Sequence, residues 1–303
     1  MDFDQARETF LQPRAGATAP ATDTPALRLR HVLEPLAMVH LWSAPAHVHL
    51  AKAGLHFLTG YVGGRACTLG DVSPGVVAAT FAVFEPGLAA DLWRQARDVA
   101  TVEELRDVRV LCGGEGMRAA LEGVDVAEIG RVTRVLREAL DAGGPGELAG
   151  RPLYASLRDQ PWPHDPHAGL WHVASLYREH RGDAHLGACV AAGVDGLEAN
   201  VLTELRAGFD LYEYTGTRGW SPGAMDAASA RLAARGLVAD GALTTAGREQ
   251  RDAIEAATDL AQHRVLTALG ADLDDLVGTL GGWADRVVAA GWFPPDPLKR
   301  AAG

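Results

Sequence analysis

One stretch of the chain, from Trp162 to Val194, holds five of the eleven histidines and most of the residues suited to chemistry. If its middle forms a single helix, His172, Glu179 and Asp183 fall on one face, because successive residues turn by roughly 100°. His180 lies next to that face. An imidazole with two carboxylates suits general acid–base catalysis or a divalent metal. We therefore predict His180, Glu179 and Asp183 as catalytic residues and leave any metal or cofactor undetermined.

The other side of the same helix carries cations suited to an anionic ligand, since guanidinium groups bind carboxylates and phosphates through paired hydrogen bonds. Arg65 lies in a Gly-Gly-Arg-Ala sequence. Glycine there allows close backbone approach, so that Arg65 either clamps an anion or only ties a turn. Tryptophans would wall an apolar pocket around these few polar groups. The predicted ligand-binding residues are Arg65, Arg178, Arg181, His185, His172 and Trp171.

Two alternatives compete with this site. Gly182 and Asp183 are a common helix terminator and a common N-cap, so the helix would end there and Asp183 would cap its successor. The catalytic face would then be lost. In the second alternative, Glu179 and Asp183 only form internal ion pairs with Arg178 or Arg181. The sequence leaves both alternatives open.

Charge and composition limit the classes of function. The 303 residues carry a net charge of -11, whereas duplex DNA is bound mainly through Lys and Arg on its phosphates. No apolar run reaches the roughly 18 residues that span a bilayer, and no signal-peptide pattern opens the chain. Three widely spaced cysteines are typical of a reducing compartment. We expect a cytoplasmic protein, monomeric or homodimeric, without a membrane partner.

Helical periodicity dominates, and one glycine-rich break divides the chain. Gly143-Gly-Pro-Gly separates an N-terminal helical domain, residues 27–142, from a C-terminal domain, residues 151–303. Residues 1–26 are predicted to be a flexible lead. The only clear hairpin signal is Asp240-Gly241 between two short apolar runs. The fold class predicted is therefore mainly α, with a minor β contribution.

Two short motifs recur in the same order in both halves. Ser-Pro-Gly occurs at 73–75 and 221–223, and Leu-Trp occurs at 41–42 and 170–171, each pair leading into a predicted helix. This order predicts tandem winged-helix-like units in a pseudo-two-fold arrangement, with a short hairpin wing in the second only.

Residues 221–260 resemble the winged-helix domain of MarR-type regulators, in which a helix, a Gly-Leu-Val sequence, a hairpin and Leu-Thr-x-x-Gly follow one another. More widely, three motifs are similar to an uncharacterised actinobacterial helix-turn-helix family. These are Gly64-Arg-Ala with Leu69-Gly, Trp162-Pro with Pro166, and Arg178-Glu-His-Arg-Gly-Asp. The resemblance implies a fold and, for MarR-type proteins, DNA reading by the recognition helix and a ligand site near the dimer interface.

The chain departs from the MarR pattern where DNA would be read. The helix from Ser221 to Arg235 offers only Arg231 and Arg235 as cations, and the wing, Ala239-Asp-Gly-Ala242, is acidic. We therefore predict a small-molecule-binding protein with a polar pocket between its halves and with DNA binding lost or weak. Whether it is also an enzyme of specialised metabolism is left open. A MarR-type ligand-responsive regulator is the alternative.

Overall fold

The computed structural model describes residues 5, 6, 8 and 24–296. Most of the predicted lead, residues 1–26, lies outside them. Twelve helices of the described part precede the hairpin: α1 (Pro25–Ala37), α2 (Val39–Trp42), α3 (Ala44–Lys52), α4 (Phe57–Ala66), α5 (Pro74–Thr80), α6 (Pro86–Val99), α7 (Val102–Ala120), α8 (Val126–Ala142), α9 (Pro152–Arg158), α10 (Pro166–Ala191), α11 (Gly196–Ala207) and α12 (Pro222–Ala234).

A two-stranded antiparallel hairpin, β1 (Val238–Ala239) and β2 (Ala242–Leu243), comes next. Its turn has positive φ at both central residues, 51° at Asp240 and 72° at Gly241, as a tight two-residue hairpin requires. The chain then continues as α13 (Thr245–Leu260), α14 (His263–Leu269) and α15 (Leu273–Ala289). The prediction of a mainly α fold with minor β is confirmed.

Several helices begin where local chemistry predicts. The side chain of Asp195 accepts from the backbone N–H of Glu198, whose carboxylate accepts from the N–H of Asp195, which makes the predicted capping box of α11. Ser221 caps α12 in the same way through the N–H of Ala224, with Pro222 in the first turn. Side-chain caps satisfy backbone donors that the first helical turn leaves unpaired.

Two segments that contain several glycines are continuous helices. Residues 61–66 belong to α4, and residues 102–120 form the single helix α7. Close packing explains both. A Cβ added to Gly63 would lie 2.6 Å from Cβ of Ala96, and one added to Gly113 would lie 2.0 Å from the Trp171 indole. The glycines therefore permit helix contact, and packing outweighs their low helix propensity.

The central helix α10 runs unbroken from Pro166 to Ala191. The alternative in which it ends at Gly182 is therefore wrong, and Asp183 does not cap a following helix. A Cβ at Gly182 would meet no atom within 4 Å. By contrast, residues 245–269 form two helices, α13 and α14.

Buried apolar side chains form two main clusters. The larger one, which we call the helical body, joins residues 29–177 to residues 265–293 and so crosses the predicted boundary at 143–146. The smaller one joins α11, α12, the hairpin and α13, and we call these elements the helix–hairpin unit. The first half has no strand among the described residues, so the pseudo-two-fold relation stays a prediction. None of the described helices is both long and apolar enough to cross a membrane.

Candidate functional site

A cavity of about 370 Å³ lies where the helical body meets the helix–hairpin unit. Helices α1, α4 and α10 line it from the body, while α11, α13 and the connection between α11 and α12 line it from the unit. Its volume lies within the range of roughly 300–1,000 Å³ that is usual for small-molecule sites. Most of its wall is apolar, and much of that wall is aromatic, including Trp42, Phe57, Phe81, Phe84 and Phe209.

The charged groups that line the cavity include five arginines and four acids. Across the whole chain the balance is opposite, with 28 Lys and Arg against 39 Asp and Glu. The cavity lining therefore has a small excess of cationic over acidic side chains, unlike the chain as a whole. These groups are Arg30, Arg65, Arg178, Arg181, Arg218, Glu34, Asp183, Glu213 and Glu255.

Five of the nine residues predicted from the sequence line this cavity: Arg65, Arg178, Arg181, Asp183 and His185. Glu179, His180, His172 and Trp171 do not. Eight of the nine lie on one helix, α10, as predicted. The different faces of this helix, however, contact different parts of the protein.

Glu179 holds Arg65 in place at the cavity wall. The two side chains form a bidentate ion pair, with Nε to Oε1 at 2.8 Å and Nη2 to Oε2 at 2.7 Å. Arg178 lies 3.4 Å from the same carboxylate and donates through Nε to Glu34 at 2.8 Å. Burial alone would raise the pKa of Glu179, but the charges of Arg65 and Arg178 outweigh it and lower the pKa to about 2. Glu179 thus fits the ion-pair alternative and is not poised for proton transfer at neutral pH.

A second set of ion pairs holds Arg181 at the unit. Its Nη1 donates to Asp259 at 2.7 Å, and its Nη2 contacts Glu255. Both acids lie on α13, so this pair links α10 of the body to the helix–hairpin unit. Arg251 donates to the other oxygen of Glu255 at 2.7 Å. These ion pairs therefore cross-link α10 and α13 at the cavity wall.

The hydroxyl of Tyr61 lies at the centre of the cationic part of the wall. It accepts a hydrogen bond from Nη1 of Arg65 at 2.7 Å. Burial raises the pKa of Tyr61, but the charges of Arg65, Arg178 and Arg218 together exceed that effect and bring the pKa below its ordinary value. Three guanidinium groups from α4, α10 and the connection before α12 thus act on one oxygen. A negatively charged atom at this point would be stabilised.

Asp183 lines the cavity but is bound to the backbone. One carboxylate oxygen accepts from the N–H of Tyr154 at 2.9 Å, in the first turn of α9. Burial raises the pKa of Asp183 to about 7, against the lowering effect of that hydrogen bond. The side chain therefore changes charge near neutrality and fixes α9 to α10. His185 bonds Thr258 at 3.2 Å, and burial lowers its pKa to about 4.

His180, His172 and Trp171 lie away from the cavity. His180 is fully buried between Gln262 and Glu147, each at 2.9 Å. Trp171 is also fully buried and donates to the carbonyl of Ala37 at 3.1 Å. His172 packs edge-on against Trp162 at 5.1 Å between ring centres. Each of these side chains is held by residues of the core.

Arg218 and Tyr214 are site residues that sequence reasoning missed. They follow each other at i and i+4 before the Ser-Pro-Gly motif, and the Arg218 side chain stacks on the ring of Tyr214 at 4.5 Å and on Phe84 at 4.9 Å. That spacing was visible in the sequence. Phe81 and Phe84 follow the first Ser-Pro-Gly motif, at residues 73–75. The repeat of this motif gave no indication that these two rings face a ligand site.

The surface that would read DNA has its cations engaged. Arg231 of α12 donates to Glu198 at 2.8 Å and to Asp195 at 2.7 Å. Arg235 donates to the carbonyl of Gly193 at 2.9 Å. Asp226 and the wing residue Asp240 are both exposed. These arginines cap and cross-link the unit, which leaves little positive charge for phosphates.

No group of three His, Cys, Asp or Glu side chains that could hold a metal ion occurs in the part of the chain that the structure describes. Comparison with curated proteins and with solved structures gave no match to this chain. Comparison with family models gave a match to a helix-turn-helix family over residues 26–294. Since this match covers most of the chain, the protein belongs to that helix-turn-helix family.

Proposed function

We propose that the protein binds a small organic ligand in the cavity between the helical body and the helix–hairpin unit. The observation that carries the proposal is the composition of the cavity wall, in which aromatic side chains surround a few converging guanidinium groups. This is the usual make-up of a site that encloses an apolar molecule and orients it through one polar end. The wall is preformed, because ion pairs already fix Arg65, Arg178 and Arg181.

The proposal concerns binding and leaves out the catalytic role predicted for His180 and Glu179. Both side chains lie outside the lining of the cavity, and both have their polar atoms engaged by other protein groups. Asp183 is the predicted catalytic residue that does line it. Its bond to the backbone of Tyr154 favours a role in holding α9.

A bulky side chain at Gly182 should fill the cavity without disturbing the helix. Gly182 lines the cavity, and an added Cβ there meets no atom within 4 Å. We expect Gly182→Phe to weaken binding of the neutral fluorescent probe N-phenyl-1-naphthylamine about tenfold or more, which is roughly 1.4 kcal/mol. Fluorescence titration of the purified protein measures the dissociation constant.

Gly187→Phe is the matched control, since Gly187 lies on the same helix, has equally open space and does not line the cavity. It should leave the dissociation constant unchanged. Equal weakening by both substitutions, or no binding of the probe by the wild type, would contradict the proposal. Melting temperatures of both variants show whether either substitution disturbs the fold.

DNA-binding regulation is the second candidate, favoured by membership of a helix-turn-helix family. The resemblance of residues 221–260 to the winged-helix domain of MarR-type regulators also favours this candidate. Against it stand the engaged side chains of Arg231 and Arg235 and the exposed acids Asp226 and Asp240. We therefore expect no gel shift of the upstream region of the protein's own gene at micromolar protein in about 100 mM salt. A shifted band with steep salt dependence would establish the regulator instead.

A further inference from the structure

Arg218 differs in its partners from three other arginines of the cavity. Arg65, Arg178 and Arg181 each contact at least one carboxylate within 4.0 Å. Arg218 forms no ion pair with any carboxylate of the described residues, and its Nε is buried without a hydrogen-bond partner. Its Nη2 contacts only the hydroxyl of Tyr214. A guanidinium group without a counter-ion, in the wall of a cavity, is a binding site for an anion.

The surroundings of Arg218 fix its position. The guanidinium group lies between the rings of Phe84 and Tyr214, at 4.9 and 4.5 Å from their centres. The backbone carbonyl of Arg218 accepts from the N–H of Glu85 at 3.0 Å, which joins this segment to the helical body. Stacking on two rings orients the planar group, so that its remaining N–H donors keep a constant direction.

A second donor is available on the opposite element. Arg178 uses Nε and Nη1 for Glu34 and Glu179, and no hydrogen bond from its Nη2 is made to any described residue. Arg178 and Arg218 both act on the hydroxyl of Tyr61, so the two guanidinium groups face the same part of the cavity. Beside them lie the rings of Phe81 and Phe84, which offer an apolar surface.

We propose that the ligand is an organic anion whose single oxyanion group, such as a carboxylate, is bound by Arg218 while its apolar body packs on Phe81 and Phe84. This proposal rests on the proposed function and specifies the ligand class. A neutral molecule would leave Arg218 without a counter-ion, whereas an anion would supply one.

The test uses two probes that differ in one group. 8-Anilinonaphthalene-1-sulfonate is N-phenyl-1-naphthylamine with an added sulfonate, and both become fluorescent in apolar sites. We expect the wild type to bind the sulfonate more tightly than the neutral probe. Arg218→Gln should weaken sulfonate binding about 10- to 100-fold, the range expected for loss of a charge-assisted hydrogen bond, and leave the neutral probe unchanged. Arg218→Lys should retain part of the affinity because it keeps the charge.

Arg94→Gln is the control for net charge, since Arg94 is exposed and pairs only with its neighbour Asp91. It should change neither affinity. If the wild type binds both probes equally, the ligand class is wrong while the proposed function stands. If Arg218→Gln weakens both probes to the same extent, Arg218 has only a structural role and the inference fails. If neither probe binds, the cavity is not a ligand site, and the proposed function fails with it.

Discussion

Replacing Glu179 with Gln should lower the free energy of unfolding by about 3–5 kcal/mol, the cost typical of removing one partner from a buried ion pair. Glu179 is 4% exposed and supplies both oxygens to Arg65. The amide would leave the guanidinium group of Arg65 buried without a full counter-charge. Denaturant unfolding followed by far-ultraviolet circular dichroism measures the change.

Glu138→Gln is the matched control for this substitution. Glu138 pairs with Arg134 one helical turn away, and both side chains are more than half exposed. An exposed pair of this kind contributes only about 0.3–0.5 kcal/mol. The double variant Arg65→Gln, Glu179→Gln should recover part of the loss, since it removes both charges. A Glu179 variant no less stable than the Glu138 variant would show that the buried pair does not hold the cavity wall.

Lowering the pH from 7 to 5 should destabilise the protein by about 2–3 kcal/mol, mainly because buried histidines must be protonated on unfolding. Burial lowers the pKa of His40 and of His172 to about 3, and that of His185 to about 4. In the unfolded chain each titrates near 6.5. Stability from these groups is therefore present above pH 6.5 and is lost as the pH falls toward their folded pKa values.

Asp183 acts in the opposite direction. Burial raises its pKa to about 7, so that it binds a proton in the folded state at a pH where the unfolded chain does not. Its protonation therefore stabilises the fold as the pH falls from 7 toward 4. Between pH 7 and pH 5 each of the three histidines loses about 1.9 kcal/mol and the one carboxyl returns about 2.3 kcal/mol, so a net loss of about 3 kcal/mol remains.

Substituting His172 tests whether burial keeps this imidazole neutral in the folded protein. Unfolding free energies of the wild type and of His172→Asn, measured at pH 7 and pH 5, should differ in their pH dependence by about 1.4 kcal/mol per pH unit below pH 6. His56→Gln is the control, because His56 is exposed. Equal slopes for His172→Asn and the wild type would show that the imidazole is protonated in the folded protein.

The amino-acid sequence alone determined the local features of this protein. The caps of Asp195 and Ser221 are local features of this kind, because a cap depends only on neighbouring backbone donors. The Asp240-Gly241 turn was predicted for the same reason. Four of the five predicted residues that line the cavity, Arg178, Arg181, Asp183 and His185, lie in one short polar run that is visible in the sequence.

Only the tertiary structure decided which of these side chains share a site. His172, Glu179 and Asp183 were expected to converge, but their partners Trp162, Arg65 and Tyr154 come from three different elements. Folding brings Arg218, which has no carboxylate partner among the described residues, to the same cavity as Arg178. Helical periodicity fixes a side chain's direction, but its charge environment is set by residues remote in sequence, and only packing brings those together.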